Sequence, residues 1–276
     1  MSHQPTIAFH DGKSIPQVGL GVWQTPDDTA VTAVKAALDA GYRHIDTAAA
    51  YHNEDGVGEG IRASGLPRGD VFLTTKLWND DQGFDTTLKA FDASLKRLGT
   101  DYVDLYLIHW PAPRRDLYVD TWKAFIRLKE EGRARSIGVS NFNPEHLGRL
   151  IGETGVVPVI NQIEVHPDFP RKENRAFHDK HGIVTQSWSP LGQGKLLDHP
   201  AIARIAGKHG RTPAQAIIRW HIDNGLVVIP KSVTPSRIVG NFDVFDFKLD
   251  AEDLAAFAAL EKDGHRIGPD PLTATF

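Results

Sequence analysis

The sequence predicts an α/β protein folded as a single (β/α)8 barrel, a TIM barrel occupying residues 1–276 as one domain. Three observations carry that prediction. Short apolar strands recur roughly every 30 residues, the spacing of strand–helix units. Several are apolar on both faces, as strands covered by helices should be. The stretches between them carry helix start and stop signals. A doubly wound open sheet is the alternative architecture with the same alternation.

The elements follow in order. "TIAFHDGKSIPQVG" alternates around Asp11-Gly12 and reads as a β-hairpin, placed to cap the bottom of the barrel. Barrel strands are expected at "LGVW" (20–23), "RHIDT" (43–47), "VFLTTKLW" (71–78) and "VDLYLIH" (103–109). Four more are expected at "RSIGVSN" (135–141), "VINQIEV" (159–165), "VTQSWSP" (184–190) and "LVVIPKS" (226–232). Between the third and fourth, Leu88, Phe91, Leu95 and Leu98 form a helical apolar stripe, and Gly99 supplies the stop. "TPAQAIIRW" opens another helix, with Thr212 as N-cap, Pro213 at the first helical position and Gln215 closing a capping box. No linker, low-complexity stretch or residue-level repeat divides the chain.

Composition narrows the function classes. Lys and Arg total 31 against 35 Asp and Glu, so the chain has no basic footprint for nucleic acid or a membrane surface. Cysteine is absent, which excludes disulfides, thiolate metal sites and cysteine nucleophiles and fits a reducing compartment. No apolar run approaches the ~20 residues that cross a bilayer. The N-terminus "MSHQPTIAFHDG" lacks the regions of a signal peptide. The expectation is a soluble, monomeric cytoplasmic protein acting on a small molecule.

Chemistry in such barrels sits at the C-terminal ends of the strands. Polar residues occupy three successive ends: Asp46 on the second strand, Lys76 on the third and His109 on the fourth. Neighbouring strands lie about 5 Å apart, so these groups fall within about 10 Å of one another. Tyr51 sits in the loop after Asp46. A phenol is a weak acid alone, with a reference pKa near 10, and a nearby ammonium is expected to lower it. A carboxylate would keep that ammonium charged and placed, and a histidine could donate a hydrogen bond to a substrate oxygen. Such a group can hand a proton to a carbonyl oxygen as it gains negative charge. Taken singly, each residue has a plainer reading, as N-cap, ion pair or core filler.

The motifs "GYRHIDTAAAYHNEDGVG", "VDLYLIHWP", "RSIGVSNF", "INQIEVHP" and "IPKSVTPSRIVGN" make the chain resemble the aldo-keto reductases from about Ile7 to Pro271. "TTKLWNDD", "SWSPLGQGK" and "NFDVFDF" are most similar to the bacterial 2,5-diketo-D-gluconate reductases of A type. The resemblance implies that Tyr51 is the general acid, that Lys76 and Asp46 tune it, and that His109 orients the carbonyl. It implies NADPH laid across the barrel mouth. Trp188 would stack on the nicotinamide, and Ser140, Asn141 and Gln162 would hold its carboxamide. Leu191, Gly192, Gln193 and Gly194 would line the pyrophosphate. Lys231, Ser232 and Arg237 would grip the 2′-phosphate, Val233 would belong to the same cofactor site, and Asn241 would meet the adenine. The cations lie beside a helix start at Thr234-Pro235, and helix N-termini favour anions.

Two positions depart from the wider family: Trp188 replaces a common tyrosine, and Gly240 stands where an acidic residue is frequent. No true G-x-G-x-x-G follows a strand; "GVGEG" (56–60) has the wrong last spacing and falls in a predicted helix. Trp23, Trp78 and Trp110 follow strands and would wall a substrate pocket. The tail "GHRIGPDPLTATF" could fold over that pocket, with Arg266 free to meet an acidic substrate. "HDKH" puts His178 and His181 on one turn of a helix, read as a solvated face rather than a metal site.

The expected activity is NADPH-dependent reduction of small carbonyl compounds, among them 2,5-diketo-D-gluconate and methylglyoxal. A Schiff-base aldolase using Lys76 and a non-catalytic nucleotide sensor on the same barrel are the alternatives.

Overall fold

Strand after strand, a short apolar run is cut by a polar residue and the chain turns into a helix. In the computed structural model, which describes residues 4–261 and 265–275, this produces eight parallel strands in one sheet. They are β3 (Leu20–Gly21), β4 (His44–Asp46), β5 (Phe72–Leu77), β6 (Val103–Ile108), β7 (Ala134–Ser140), β8 (Ile160–Glu164), β9 (Val184–Trp188) and β10 (Val227–Val228). They pair in sequence order. Parallel bridges Val18↔Val228 and Gly21↔Lys231 join the last strand to the first and close the barrel. The first and last strands are shorter than the sequence suggests, because their ends meet through these single bridges rather than a continuous ladder.

Each strand is followed by a helix: α1 (Asp27–Ala40), α2 (Glu54–Ala63), α3 (Phe84–Leu98), α4 (Tyr118–Glu130), α5 (Pro144–Thr154) and α6 (Lys172–His181) in turn. After β9 come α7 (Pro200–Lys208) and α8 (Pro213–Asp223), and after β10 α9 (Pro235–Phe242) and α10 (Ala251–Ala258). The helix signals act as read. Gly99 ends α3 in the left-handed conformation at φ 64°. Thr212 and Gln215 cap α8 reciprocally.

The period-2 alternation of the strands decides what faces inward. On β6, Tyr106 and Ile108 join the apolar layer between barrel and helices, where Tyr106 stacks on Phe125 at 4.3 Å. Leu105 and Leu107 therefore point into the barrel, where they pack with Val159, Ile160 and Val227. The hairpin, β1 (Thr6–Ala8) paired with β2 (Ser14–Pro16), adds Phe9 and Ile15 to the same inner cluster and caps the bottom. The next inward position on β6 is His109. On β5, Leu73 and Leu77 face outward, so Thr74 and Lys76 face inward. On β4, Ile45 faces outward and leaves His44 and Asp46 inside.

His178 is the one sequence reading that the helix layer overturns. It is buried, with Nε2 2.9 Å from Asn161 Nδ2 and Nδ1 2.8 Å from Thr185 Oγ1. Its side of α6 packs against β8 and β9 instead of facing solvent. His181 stacks on Phe177 at 4.1 Å.

Candidate active site

The loop that carries Tyr51 is fixed at both ends. After β4 the chain makes a 3-10 turn over Ala49–Tyr51, and His52 takes a positive φ of 54°. Asn53 is fully buried. Its amide donates to Val22 O and Thr25 O, both at 2.9 Å, and its Oδ1 accepts from Thr47 Oγ1 at 2.7 Å. Glu54 follows and accepts from Thr75 Oγ1 at 2.5 Å and Arg97 Nε at 2.8 Å. Tyr51 thus projects from a loop tied to β3, β4, β5 and α3. The sequence reading missed Asn53 and Glu54. The signal available was a polar pair opening a helix, and such a pair reads equally well as ordinary caps.

Below Tyr51, Lys76 is wholly buried and donates to Asp46 Oδ1, to Thr47 O at 2.9 Å and to Tyr51 Oη at 3.4 Å. The other Asp46 oxygen accepts from Gln162 Nε2 at 2.7 Å. Both carboxylate oxygens are therefore used, and the ammonium has three acceptors. A buried ion pair persists only when its hydrogen bonds are this complete. His109 meets Tyr51 edge-to-face with ring centroids 5.6 Å apart, and Trp78 at 5.3 Å.

These surroundings set the proton affinities. Burial would lower Lys76, but Asp46 and then Tyr51 reverse this, and the amine is held above its ordinary range as an ammonium. Burial pushes the Tyr51 phenol up; Lys76 pulls it down and Asp46 adds to the rise, leaving it above its ordinary value. The sequence argument expected the ammonium to win, and desolvation outweighs it. Burial, with Lys76 beside it, holds His109 well below the usual imidazole range, so its ring is neutral. At neutral pH Tyr51 is a protonated phenol, Lys76 a charged amine and His109 a neutral imidazole.

This floor opens into a cavity of about 1040 Å³ at the C-terminal end of the barrel. Asp46, Tyr51 and His109 line it, with Trp23, Trp78 and Trp110. Ser140, Asn141, Gln162 and Trp188 line it at the ends of β7, β8 and β9. They also bond to one another. Trp188 Nε1 donates to Asn141 Oδ1 at 2.8 Å, Asn141 Nδ2 to Ser140 Oγ at 3.1 Å, and Ser140 Oγ to Gln162 O at 2.8 Å. Asn141 and Ser189 hold positive φ values of 64° and 47° at this rim, the kind of strain that collects at functional sites.

The remaining predicted cofactor residues spread beyond the cavity. Gln193 and Lys231 line it, whereas Leu191 packs into the apolar core and Gly192 is buried beneath the 3-10 turn Gly192–Gly194. Ser232 and Asn241 are buried and Val233 is exposed. Arg237 is exposed on the first turn of α9, which opens at Pro235. Among the described residues, neither Lys231 nor Arg237 is held in an ion pair, so two cations face solvent beside a helix start. That is the chemistry a phosphate needs.

The tail does reach the site. Ile267, Gly268 and Pro269 line the cavity, while the Arg266 guanidinium lies over the Phe169 ring at 5.2 Å. Sequence reasoning also missed Glu164, His166 and Asp168, which hold that tail. Their alternation in "IEVHPD" was the available signal.

Comparison with known proteins gives a consistent picture. The model described as "Aldo/keto reductase family" matches residues 16–262. An aldo-keto reductase of Mycolicibacterium smegmatis is 63% identical over 99% of this chain and 98% of its own length. Methylglyoxal reductase DkgA of Escherichia coli is 53% identical over 98% of each chain. A crystal structure of a Gox0644 mutant in complex with NADPH is 54% identical, superposes with a TM-score of 0.96 and is covered completely, as is this chain.

Proposed function

The chain belongs to the aldo/keto reductase family, and from that premise we propose that it reduces small α-keto, dicarbonyl and aldehyde compounds with Tyr51 as general acid. Methylglyoxal and 2,5-diketo-D-gluconate are the proposed substrates. The observation that carries the reading is the Tyr51 hydroxyl, 3.4 Å from the buried Lys76 ammonium and lining the cavity.

NADPH is the cofactor of the reaction and, when bound, supplies the hydride that a carbonyl carbon accepts. Ser140, Asn141, Gln162 and Trp188 would hold its nicotinamide end, and Lys231, Ser232 and Arg237 its 2′-phosphate. The unpaired exposure of Lys231 and Arg237 fits that phosphate.

The protein's own residues do the rest. The three tryptophans give the cavity apolar walls that exclude water from a small carbonyl compound. Neutral His109 donates a hydrogen bond to the carbonyl oxygen and holds it toward Tyr51. As that oxygen gains charge, the Tyr51 hydroxyl gives up its proton. The resulting phenolate is stabilised by Lys76, which Asp46 keeps charged and fixed. Burial ensures that Tyr51 enters the reaction protonated, as a donor must be.

The aldolase alternative needs a neutral, accessible amine at Lys76. The side chain here is charged and has no solvent access. A sensor without catalysis gives no account of a donor phenol beside an ammonium. We further read the protein as a cytoplasmic monomer.

The test is loss of NADPH absorbance with methylglyoxal, 2,5-diketo-D-gluconate and simple aldehydes, each repeated with NADH. Turnover with NADPH on at least one dicarbonyl is expected. No oxidation of either cofactor across the panel would sink the reading.

A further inference from the structure

The turn after β8 carries a second buried charge cluster, apart from the Asp46–Lys76 pair. Glu164, the last residue of β8, is 1% exposed. Its Oε1 accepts from Ile267 N at 2.6 Å and lies 2.9 Å from His166 Nε2. Its Oε2 accepts from Gly268 N at 2.9 Å. His166 is fully buried, and its other nitrogen, Nδ1, bonds to Asp168. The imidazole is thus held between two carboxylates, and it orients Glu164 toward the tail.

Four successive tail residues engage this one turn. His265 abuts Asp168, a close contact off the hydrogen-bonding direction. Arg266 covers the Phe169 ring. Ile267 and Gly268 give their amides to Glu164. Gly268 is pressed between two groups: a Cβ placed on it would stand 2.5 Å from Trp188 Cη2 and 3.2 Å from Glu164 Oε2. Trp188 pairs with Glu164 across the β8–β9 ladder, and its indole N–H is fixed on Asn141. The Trp188 ring is therefore held at one edge by Asn141 and at the other by the Gly268 backbone.

We propose that Glu164, braced by His166 and Asp168, is a positioning residue that latches the tail at Ile267–Gly268 against Trp188 and so fixes the width of the cavity on that side. Its consequence is discrimination between small and bulky carbonyl substrates, which rests on the reductase reading. The latch itself is independent of that reading. A carboxylate is required because three donors converge on two oxygens. A glutamine offers one acceptor oxygen and turns an NH2 donor toward at least one of them.

The experiment measures amide hydrogen exchange of the tail, together with kcat/KM for methylglyoxal and for a two-ring aromatic aldehyde. It uses the full chain in three forms: wild type, Glu164→Gln and Gly268→Ala. The second variant leaves Glu164 in place and crowds the contact of the tail with Trp188 by one methyl group, while the apolar core of the barrel stays as it is. Both variants are expected to speed exchange at Ile267 and Gly268 by about tenfold or more, as when a local contact is lost. Both are expected to shift the bulky-to-small kcat/KM ratio upward by about threefold or more, the scale of a changed pocket contact. Unchanged tail exchange in both variants would overturn the latch. Faster exchange with an unchanged ratio would overturn its role in the cavity. A wild type that oxidises no NADPH removes the reductase reading, and the exchange data still decide whether Glu164 holds the tail.

Discussion

The floor and the rim of the cavity handle charge in opposite ways. On the floor, Lys76 and Asp46 are buried and satisfied by each other, by Thr47 O and by Gln162. At the rim and just beyond it, Lys231 lines the cavity and Arg237 stands on the first turn of α9, both exposed and, among the described residues, in no ion pair. A buried pair that is already complete has little to offer a ligand. It acts on Tyr51, whose hydroxyl accepts from Lys76 and lines the cavity. An exposed cation is uncommitted and can spend its interaction on a phosphate. The floor should therefore govern turnover, and the rim should govern cofactor affinity.

The largest effect expected from this division is at Tyr51. Tyr51→Phe removes the proton donor and leaves packing intact, so kcat should fall by about 10²–10⁴. NADPH affinity, followed by quenching of tryptophan fluorescence, should stay within about twofold, because no cofactor contact is assigned to the phenol. Joint loss of turnover and affinity would break the separation of floor from rim.

The reciprocal change is Lys231→Ala with Arg237→Ala. Affinity for NADPH should drop by about tenfold to a hundredfold, the worth of one or two charge-assisted hydrogen bonds. NADH, which lacks the 2′-phosphate, should bind as before, and kcat at saturating NADPH should hold. Equal losses for the two cofactors in titrations would show that the rim does not read the phosphate.

His109 tests the floor more finely. Its alanine variant should lose turnover by misplacing the carbonyl, by about tenfold or more, and His109→Gln should recover part of that by restoring a donor. Equal impairment of the two on both a small aldehyde and a larger keto acid would remove hydrogen-bond orientation as its role.

The last test is stability in acid, and it involves the buried histidines, His109 of the floor among them. Burial holds His44 down to about 4 and His178 and His221 down to about 3, and it keeps His109 well below its ordinary value. The unfolded chain takes up these protons near pH 6.5, while the fold refuses them until lower pH. Stability is thus full above about pH 6.5 and falls as pH drops, by up to about 1.4 kcal/mol per pH unit for each such histidine. Urea unfolding at a series of pH values would measure the slope. A midpoint constant from neutral pH to about pH 5 would contradict burial of these rings as neutral groups.

The floor was legible in the sequence because polar residues end three successive apolar strands, and barrel chemistry sits at those ends; the structure adds the direction. Once Ile45, Leu73 and Tyr106 face the helices, Asp46, Lys76 and His109 must face the barrel interior, and a local loop adds Tyr51. The rim was legible only through resemblance, since Lys231 and Arg237 alone read as solvated cations. Other features escaped because nothing local encodes them. Asn53 looks like a helix cap, yet its side chain reaches Val22 and Thr25 on another strand's loop. His178 sits in a polar helix whose buried side becomes visible only when β8 and β9 pack on it. The tail has no periodicity, and its hold on Glu164 spans more than a hundred residues of chain. The direction of the Tyr51 shift was misjudged for the same reason: charge partners can be read from spacing, but the depth of burial cannot.

The pH dependence of single-turnover NADPH oxidation with methylglyoxal tests the central claim most directly, since it reports the ionisation of the proton donor itself. With a phenol raised by burial as the acid and a neutral His109 beside it, the rate should be level from about pH 6.5 through the ordinary phenol value near 10, with no fall below it. A rate that declines through about pH 7 would place the donor on a different group and contradict the assignment of Tyr51.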